Sequence, residues 1–268
     1  MPDVFADINS AGADVLAMIG DILEGRAQIP SQQAMLHSYL SEIEFPAEAK
    51  VLEVGCGTGP VCRTLAVWPN VGEVVGVDLS SVLLERARLL SVGLDNVSYM
   101  EADGTALSFD DGAFDVVVLH TLLTHVPAQE AVLAEARRVV RPQGWLAVCD
   151  GDFSTASVSI VDEDPLEACV AAFVEGYVTD PFLVRRMRSL VAVAGFEPGE
   201  LASYGLVETV NPGLTLSWID RGADALVAQA RITAESGEAH KQEARARMAA
   251  GTWFGYMAYA SLIARPSP

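Results

Sequence analysis

The feature that most constrains this chain is a short apolar run, Lys50-Val-Leu-Glu-Val54, that passes directly into Gly55-Cys-Gly-Thr-Gly59 and then into a helical segment at 60–68. A strand, a glycine turn and a helix in that order form the opening unit of a parallel sheet, since parallel neighbours need a crossover that packs back on the sheet. The rhythm continues. Glu73-Val-Val-Gly-Val77 reads as a second strand, closed by Asp78, and 80–92 carries Val82, Leu83, Ala87 and Leu90 at helical spacing. Asn96–Met100 and Phe114–Leu119 read as further strands; the latter is nearly all apolar, as a strand covered on both faces should be. A helix at 128–140, a turn at Pro142-Gln-Gly144 and a fifth strand, Trp145–Cys149, follow. The expected class is α/β, with a doubly wound, mostly parallel sheet.

The flanks carry other textures. Val15, Leu16, Ile19, Ile22 and Leu23 predict a helix over 14–24 with Gly25 as its stop. A second helix is predicted from Pro30-Ser31 to about Glu44, ended by Pro46. Residues 151–180 break the rhythm and read as an insertion, and 181–195 resume as a helix ending at Gly195. Tyr204–Val210 is a predicted sixth strand and Phe254–Ala264 a final one, giving seven. Between them 222–250 reads as helical, broken at Gly237, a pair expected to lie over the sheet's carboxyl edge as a lid. The organisation expected is one compact domain: an N-terminal helical cap over 1–45, a ligand-binding α/β core over 46–150, and the rest of the sheet with lid helices over 151–268.

The chain has 268 residues, with 36 acidic against 17 basic and a net charge of -19. That balance repels nucleic-acid phosphates and anionic membranes, so neither is an expected partner. Cys56, Cys62, Cys149 and Cys169 form no CxxC pair and no metal-ligand spacing, which points to free thiols in a reducing compartment and to no metal. Residues 1–20 hold no basic leader, and no apolar run is long enough for a membrane span, so a cytoplasmic location is expected.

In doubly wound sheets ligands bind outside the carboxyl ends of the strands. The turn there is G-x-G-x-G, and Pro60 follows it, which fits the pyrophosphate-binding G-x-G-x-x-G poorly. Asp78 is placed to accept from both hydroxyls of a ribose; it could instead cap the next helix, a task open to Ser80. Asp103, after the third strand, could accept from an adenine amino group or simply close a turn.

Together, Val51-Leu-Glu-Val-Gly-Cys-Gly-Thr-Gly59, Val74-Val-Gly-Val-Asp-Leu-Ser80 and Glu101-Ala-Asp-Gly-Thr-Ala-Leu107 resemble the class I S-adenosylmethionine (SAM)-dependent methyltransferases. Phe114–Leu119 before His125-Val-Pro127, and Ala134-Glu-Ala-Arg-Arg-Val-Val-Arg-Pro-Gln-Gly144, extend the resemblance over about residues 46–150. It implies a Rossmann-like fold and an enzyme that converts SAM to S-adenosylhomocysteine while methylating an oxygen or nitrogen of a small organic molecule. It also implies roles by position. Gly55, Gly57 and Gly59, with Cys56 in the same loop, would run beneath the methionine and ribose portion. Glu53 would fix that loop or reach the methionine amino group. Asp78 would hold the ribose, Leu79 would pack on the adenine, and Ala102, Asp103 and Gly104 would meet the adenine edge. His120 would stand beside the methionine portion.

His120 is also the candidate general base, since histidine titrates near neutrality; the same residue reads equally as pocket wall. His125 reads as structural, His37 as a site or surface residue, and His240 as solvated. Asp150 and Asp152 could orient a substrate or close a turn. Arg185, Arg186 and Arg188 could grip a carboxylate or form a basic face. Trp218, Trp253 and Tyr256 could line an acceptor pocket or belong to the core. Two other functions stay open: a SAM-binding enzyme that does not methylate, such as a cyclase or a rearrangement catalyst, and a SAM-binding regulatory module. An oxidoreductase is disfavoured by the glycine spacing. The expected partner is a small-molecule acceptor, and a homo-oligomer stays open.

Overall fold

The structure, a computed structural model, describes Asp3, residues 8–210 and residues 213–268. Residues 1, 2 and 4–7 of the expected cap, and 211–212 ahead of the expected lid, lie outside the described residues. The strands are β1 (Ala49–Val54), β2 (Val71–Asp78), β3 (Val97–Glu101), β4 (Phe114–His120), β5 (Val140–Ser157), β6 (Phe196–Glu208) and β7 (Gly255–Pro266). The helices are α1 (Ala13–Ala27), α2 (Pro30–Leu40), α3 (Pro60–Ala66), α4 (Ser81–Leu90), α5 (Gln129–Val139), α6 (Glu167–Tyr177), α7 (Leu183–Val193), α8 (Gly213–Ala228) and α9 (Ala234–Ala250).

The seven strands form one sheet in the order β3-β2-β1-β4-β5-β7-β6. Pairing is parallel from β3 through β5, and only β7 runs against its neighbours. The order reverses between β1 and β4, so the loops after β1 and β4 part there and leave a crevice at the carboxyl edge.

Alternation along the central strands builds two cores. Val51, Val116, Val118, Ala147 and Cys149 face α2, α3, α6 and α8. Leu52, Val54, Val117, Leu119, Leu146 and Val148 face α5 and α7. Both sides are dry, which explains why Val116 to Leu119 could be apolar without interruption. The amphipathic α5 and α7 bury Val132, Leu133 and Ala136, and Leu183, Met187 and Val191, at helical spacing.

Several elements depart from the sequence reading. α1 runs through Gly25, where a methyl would meet nothing within 4 Å, so the glycine is a weak point of the helix rather than its stop. α2 ends at Leu40, and the chain to Phe45 continues as tight turns that still bury Ile43 and Phe45. β5 is 18 residues long and carries Asp150 and Asp152 inside it, because β7 pairs with it as far as Ser157. β6 begins at Phe196, eight residues before its predicted start at Tyr204; a register shift between Pro198 and Leu201 absorbs the proline.

The helical pair α8–α9 exists, but the break falls between Ala228 and Ala234 rather than at Gly237. Gly237 lies inside α9, where an added Cβ would come within 2.7 Å of Val227. α8 crosses α6 so closely that a Cβ at Gly222 would sit 1.9 Å from the Cys169 carbonyl oxygen. Phe173 and Trp218 stack at 5.9 Å in that contact. The pair therefore packs with α6 as part of the core, and among the described residues it forms no wall of the crevice. The cover over the crevice comes from α1 instead.

Candidate active site

A cavity of about 380 Å³ fills the crevice, bounded by the loop after β1, the ends of β2 and β4, and the turn after β3. Gly55, Gly57 and Gly59 all have left-handed backbones, with φ of 74°, 52° and 78°. The Gly55 and Cys56 amides both donate to the Val77 carbonyl oxygen, at 2.8 and 3.0 Å, which pins the loop to β2. A Cβ on Gly57 would meet Leu23 of α1 at 2.7 Å, so the absent side chain is what leaves room between loop and cover. Gly59 is placed differently: it faces away from the cavity, and a Cβ there would sit 2.3 Å from the Tyr99 hydroxyl. Cys56 lines the same wall and is 3% exposed.

Asp78 closes β2. Its Oδ2 accepts from the Gly57 amide at 2.8 Å and its Oδ1 from the Ser80 amide at 2.9 Å. Ser80, not Asp78, caps α4, accepting from the Leu83 amide at 3.3 Å. The Asp78 carboxylate thus ties the glycine loop to the start of α4 and keeps lone pairs for a ligand. Burial raises its pKa, against the pull of those amides.

Glu53 is 2% exposed and accepts from the Cys62 thiol at 2.8 Å. Burial pushes its carboxyl up to about 8, so it holds a proton at neutral pH. Such a group suits a ligand that brings its own cation. Ala102 and Gly104 line the same cavity, with Leu79 as an apolar wall. Asp103 also lines it, though its Oδ1 is engaged in a turn, accepting from the amide and hydroxyl of Thr105 at 2.8 and 2.7 Å.

His120 ends β4 and lines the cavity. Its Nδ1 lies 2.9 Å from the hydroxyl of the fully buried Tyr39. Burial, aided by the charge of Arg26, pushes its pKa down to about 3, so the ring is neutral. A phenol is a better donor than acceptor, so Tyr39 donates to Nδ1 and Nε2 keeps the ring proton, an assignment made from the hydrogen-bond network.

No local pattern in the sequence marks the groups contributed by α1. Arg26 donates to the Thr121 hydroxyl at 2.8 Å, and Thr121 itself has φ of 52°, a costly backbone for a β-branched residue. That strain turns the chain after β4 toward the cavity, held by the Thr121 amide on the Cys149 carbonyl at 2.7 Å. His125 lines the cavity too and lies 2.8 Å from Asp3, which also accepts from the amide and hydroxyl of Thr179.

The other candidates lie elsewhere. Asp150 is buried in β5, where it accepts from the amide and hydroxyl of Thr124 and the Gly151 amide. Arg185 pairs with Asp152, and Arg186 with Asp180. Arg188 reaches the Gly199 carbonyl oxygen at 3.4 Å. Trp218 and Trp253 are core residues, 1% and 3% exposed, and Tyr256 belongs to β7. None of these lines the cavity.

Residues 52–148 match the protein family described as a methyltransferase domain. Among curated proteins, an uncharacterised 37.1 kDa protein in a transposon of Streptomyces fradiae is 29% identical over 231 residues, 83% of this chain and 64% of that protein. The methyltransferase GfsG of Streptomyces halstedii is 34% identical over 150 residues, 55% of this chain and 50% of its own. The chain therefore spans about two thirds or less of the length of these two relatives. Among solved structures, the YcgJ protein of Bacillus subtilis superposes with a TM-score of 0.62 at 20% identity, covering 88% of this chain and 98% of its own. The [4+2]-cyclase SpnF superposes with a TM-score of 0.55 at 20% identity, covering 88% and 81%. These structural likenesses carry the fold; a fold of this kind hosts more than one reaction.

Proposed function

From the premise that residues 52–148 belong to the methyltransferase-domain family, of the class I SAM-dependent type, we propose that the whole chain transfers a methyl group from SAM to an oxygen or nitrogen of a small organic molecule. The observation that carries this reading is the pair of carboxyl groups, the buried Glu53 and the half-buried Asp78, on either side of a left-handed glycine loop in one cavity. SAM has a cationic amino group, a ribose diol and an adenine. The cavity offers a buried carboxyl without a cationic bonding partner, a carboxylate with free lone pairs, and apolar walls beside a turn. The residues present fit the cofactor.

Glu53 would take the amino group, Asp78 the ribose hydroxyls, and Leu79 and Ala102 the adenine. Bound SAM would supply an activated methyl on a sulfonium, whose sulfur would keep the C–S electron pair as a thioether when the methyl passes to the acceptor. The protein's share is alignment and exclusion of water, which accounts for much of the rate in an in-line displacement. His120 acts in this reading as a hydrogen-bond donor through Nε2 and not as a general base, because Tyr39 occupies Nδ1 and the ring does not hold a second proton near neutrality.

The test is calorimetric titration with SAM, S-adenosylhomocysteine and NADH, followed by incubation of acceptor mixtures with methyl-labelled SAM. Binding of the two adenosyl ligands and label in a product are expected. Binding without label transfer would move the chain to the cyclase type or to a regulatory module. Asp78→Ala should weaken SAM by about 1.5–3 kcal/mol for each charged hydrogen bond lost. An unchanged SAM affinity would leave Asp78 as a loop tie only.

A further inference from the structure

A second cavity, of about 720 Å³, lies between α1, α2 and α3 and shares His120, Arg26, Pro60 and Val61 with the first. Its lining has a charge character opposite to that of the chain. In a protein with 36 acidic residues against 17 basic, no aspartate or glutamate lines it, among the described residues. Arg63 is neutralised by Glu24 at 2.7 Å. Arg26, by contrast, donates to a hydroxyl, and no described salt bridge involves it. A partly buried guanidinium with no ion-pair partner among the described residues, lining this acid-free cavity as well as the first one, favours an anion.

A second, independent observation concerns Gln32 of α2. It lines this cavity and is 6% exposed, yet its Oε1 is buried with no donor in bonding distance. Leaving a buried carbonyl oxygen unpaired costs on the order of 1–3 kcal/mol. The oxygen is turned away from the open space of the cavity, so a rotation of the terminal amide is what would bring it to a ligand's O–H or N–H group and remove that cost. Beside it, Trp68 and His37 meet edge to face at 5.1 Å and line the cavity together with Leu36.

We propose that this second cavity is the acceptor site and that the acceptor is a small organic anion, which donates a hydrogen bond to Gln32 and lays an apolar body along Trp68. The proposal rests on the reading that the adjoining cavity holds SAM. The anionic group turns toward Arg26, and the atom to be methylated lies at the junction marked by His120, where the two cavities meet. Arg26 stands at that junction, so a carboxylate reaching it could come from the acceptor or from the methionine part of the cofactor, and the experiment separates the two.

Protein saturated with S-adenosylhomocysteine is titrated with 4-hydroxybenzoate, 4-hydroxybenzyl alcohol and tyramine, which hold ring and hydroxyl constant while charge runs from negative through neutral to positive. The anion should bind about tenfold or more tighter than the alcohol, the gain of one charge-assisted hydrogen bond, and the amine weakest. Gln32→Leu should weaken the anion about fivefold. Thr64→Trp, which fills the cavity, should abolish its binding. Both variants should keep S-adenosylhomocysteine affinity, which also shows that they fold. Equal binding across the series, no binding of the anion at millimolar concentration, or binding that survives Thr64→Trp would overturn the proposal. Anion preference present in the free protein but lost on loading would assign Arg26 to the cofactor's carboxylate and would also overturn it. Failure of S-adenosylhomocysteine to bind the wild type would instead remove the SAM reading itself.

Discussion

Replacing Glu53 with glutamine should remove part of the loss of stability that the protein suffers as pH rises through neutrality. The Glu53 carboxyl is 2% exposed and has the Cys62 thiol as its bonded partner. Burial raises its pKa from 4.5 to about 8. The folded chain therefore binds a proton that the unfolded chain has released across that interval. Stability from this group is complete below 4.5 and is lost as pH rises through 8. Each pH unit within the window removes at most about 1.4 kcal/mol, so the full loss has an upper bound of about 5 kcal/mol. Glutamine keeps the shape and can still accept from Cys62, but has no proton to lose. Urea unfolding of both proteins at intervals from pH 5 to 9 measures the effect. The variant should match the wild type near pH 5 and exceed it by several kcal/mol at pH 9. Some slope should remain in the variant, since burial also raises Asp78 and Asp150. Parallel curves for the two proteins would refute the reasoning, because they would mean that Glu53 is already ionised in the folded state. Adding SAM should reduce the wild-type slope if its amino group pairs with the ionised carboxylate.

On the acid side the sign reverses. His120 is lowered to about 3, so the folded protein resists a proton that the unfolded chain accepts below 6.5; stability should fall as pH drops from 6.5 toward 3, and His120→Asn should flatten that limb in thermal unfolding. Gly59→Ala should cost about 2–5 kcal/mol in urea unfolding, from a left-handed backbone and a Cβ driven against the Tyr99 hydroxyl. Gly25→Ala, in the open interior of α1, should instead stabilise by about 0.5–1 kcal/mol, and equal effects at the two sites would contradict the close approach of Gly59 to Tyr99.

The core of the fold was legible because its signals are local. Val116 to Leu119 can be apolar throughout only where both faces of a strand are covered, and the glycine loop after Val54 requires backbones that other residues resist. Asp78 and Glu53 could be placed beside that loop because a strand end fixes its last side chains relative to the turn that follows. The long β5 was illegible for the opposite reason. Asp150 and Asp152 look like turn residues in sequence, and only pairing with β7, some hundred positions later, keeps them extended. The break between α8 and α9 was misplaced at Gly237 because a glycine can mark either a helix end or a close contact, and Val227 across the pair makes it the second.

The alternation of strands and helices, the glycine loop and the carboxylates at the strand ends beside it are written locally, since each depends on residues a few positions apart. Tertiary structure alone decided what stands over them. α1 carries Arg26 to Thr121, and α2 carries Tyr39 to His120, across 95 and 81 residues of chain. The angle at which a helix settles on a sheet is set by packing against distant side chains and leaves no periodic trace in its own residues. The same packing decided the proton on His120, because desolvation belongs to a side chain's surroundings and not to its position in the chain.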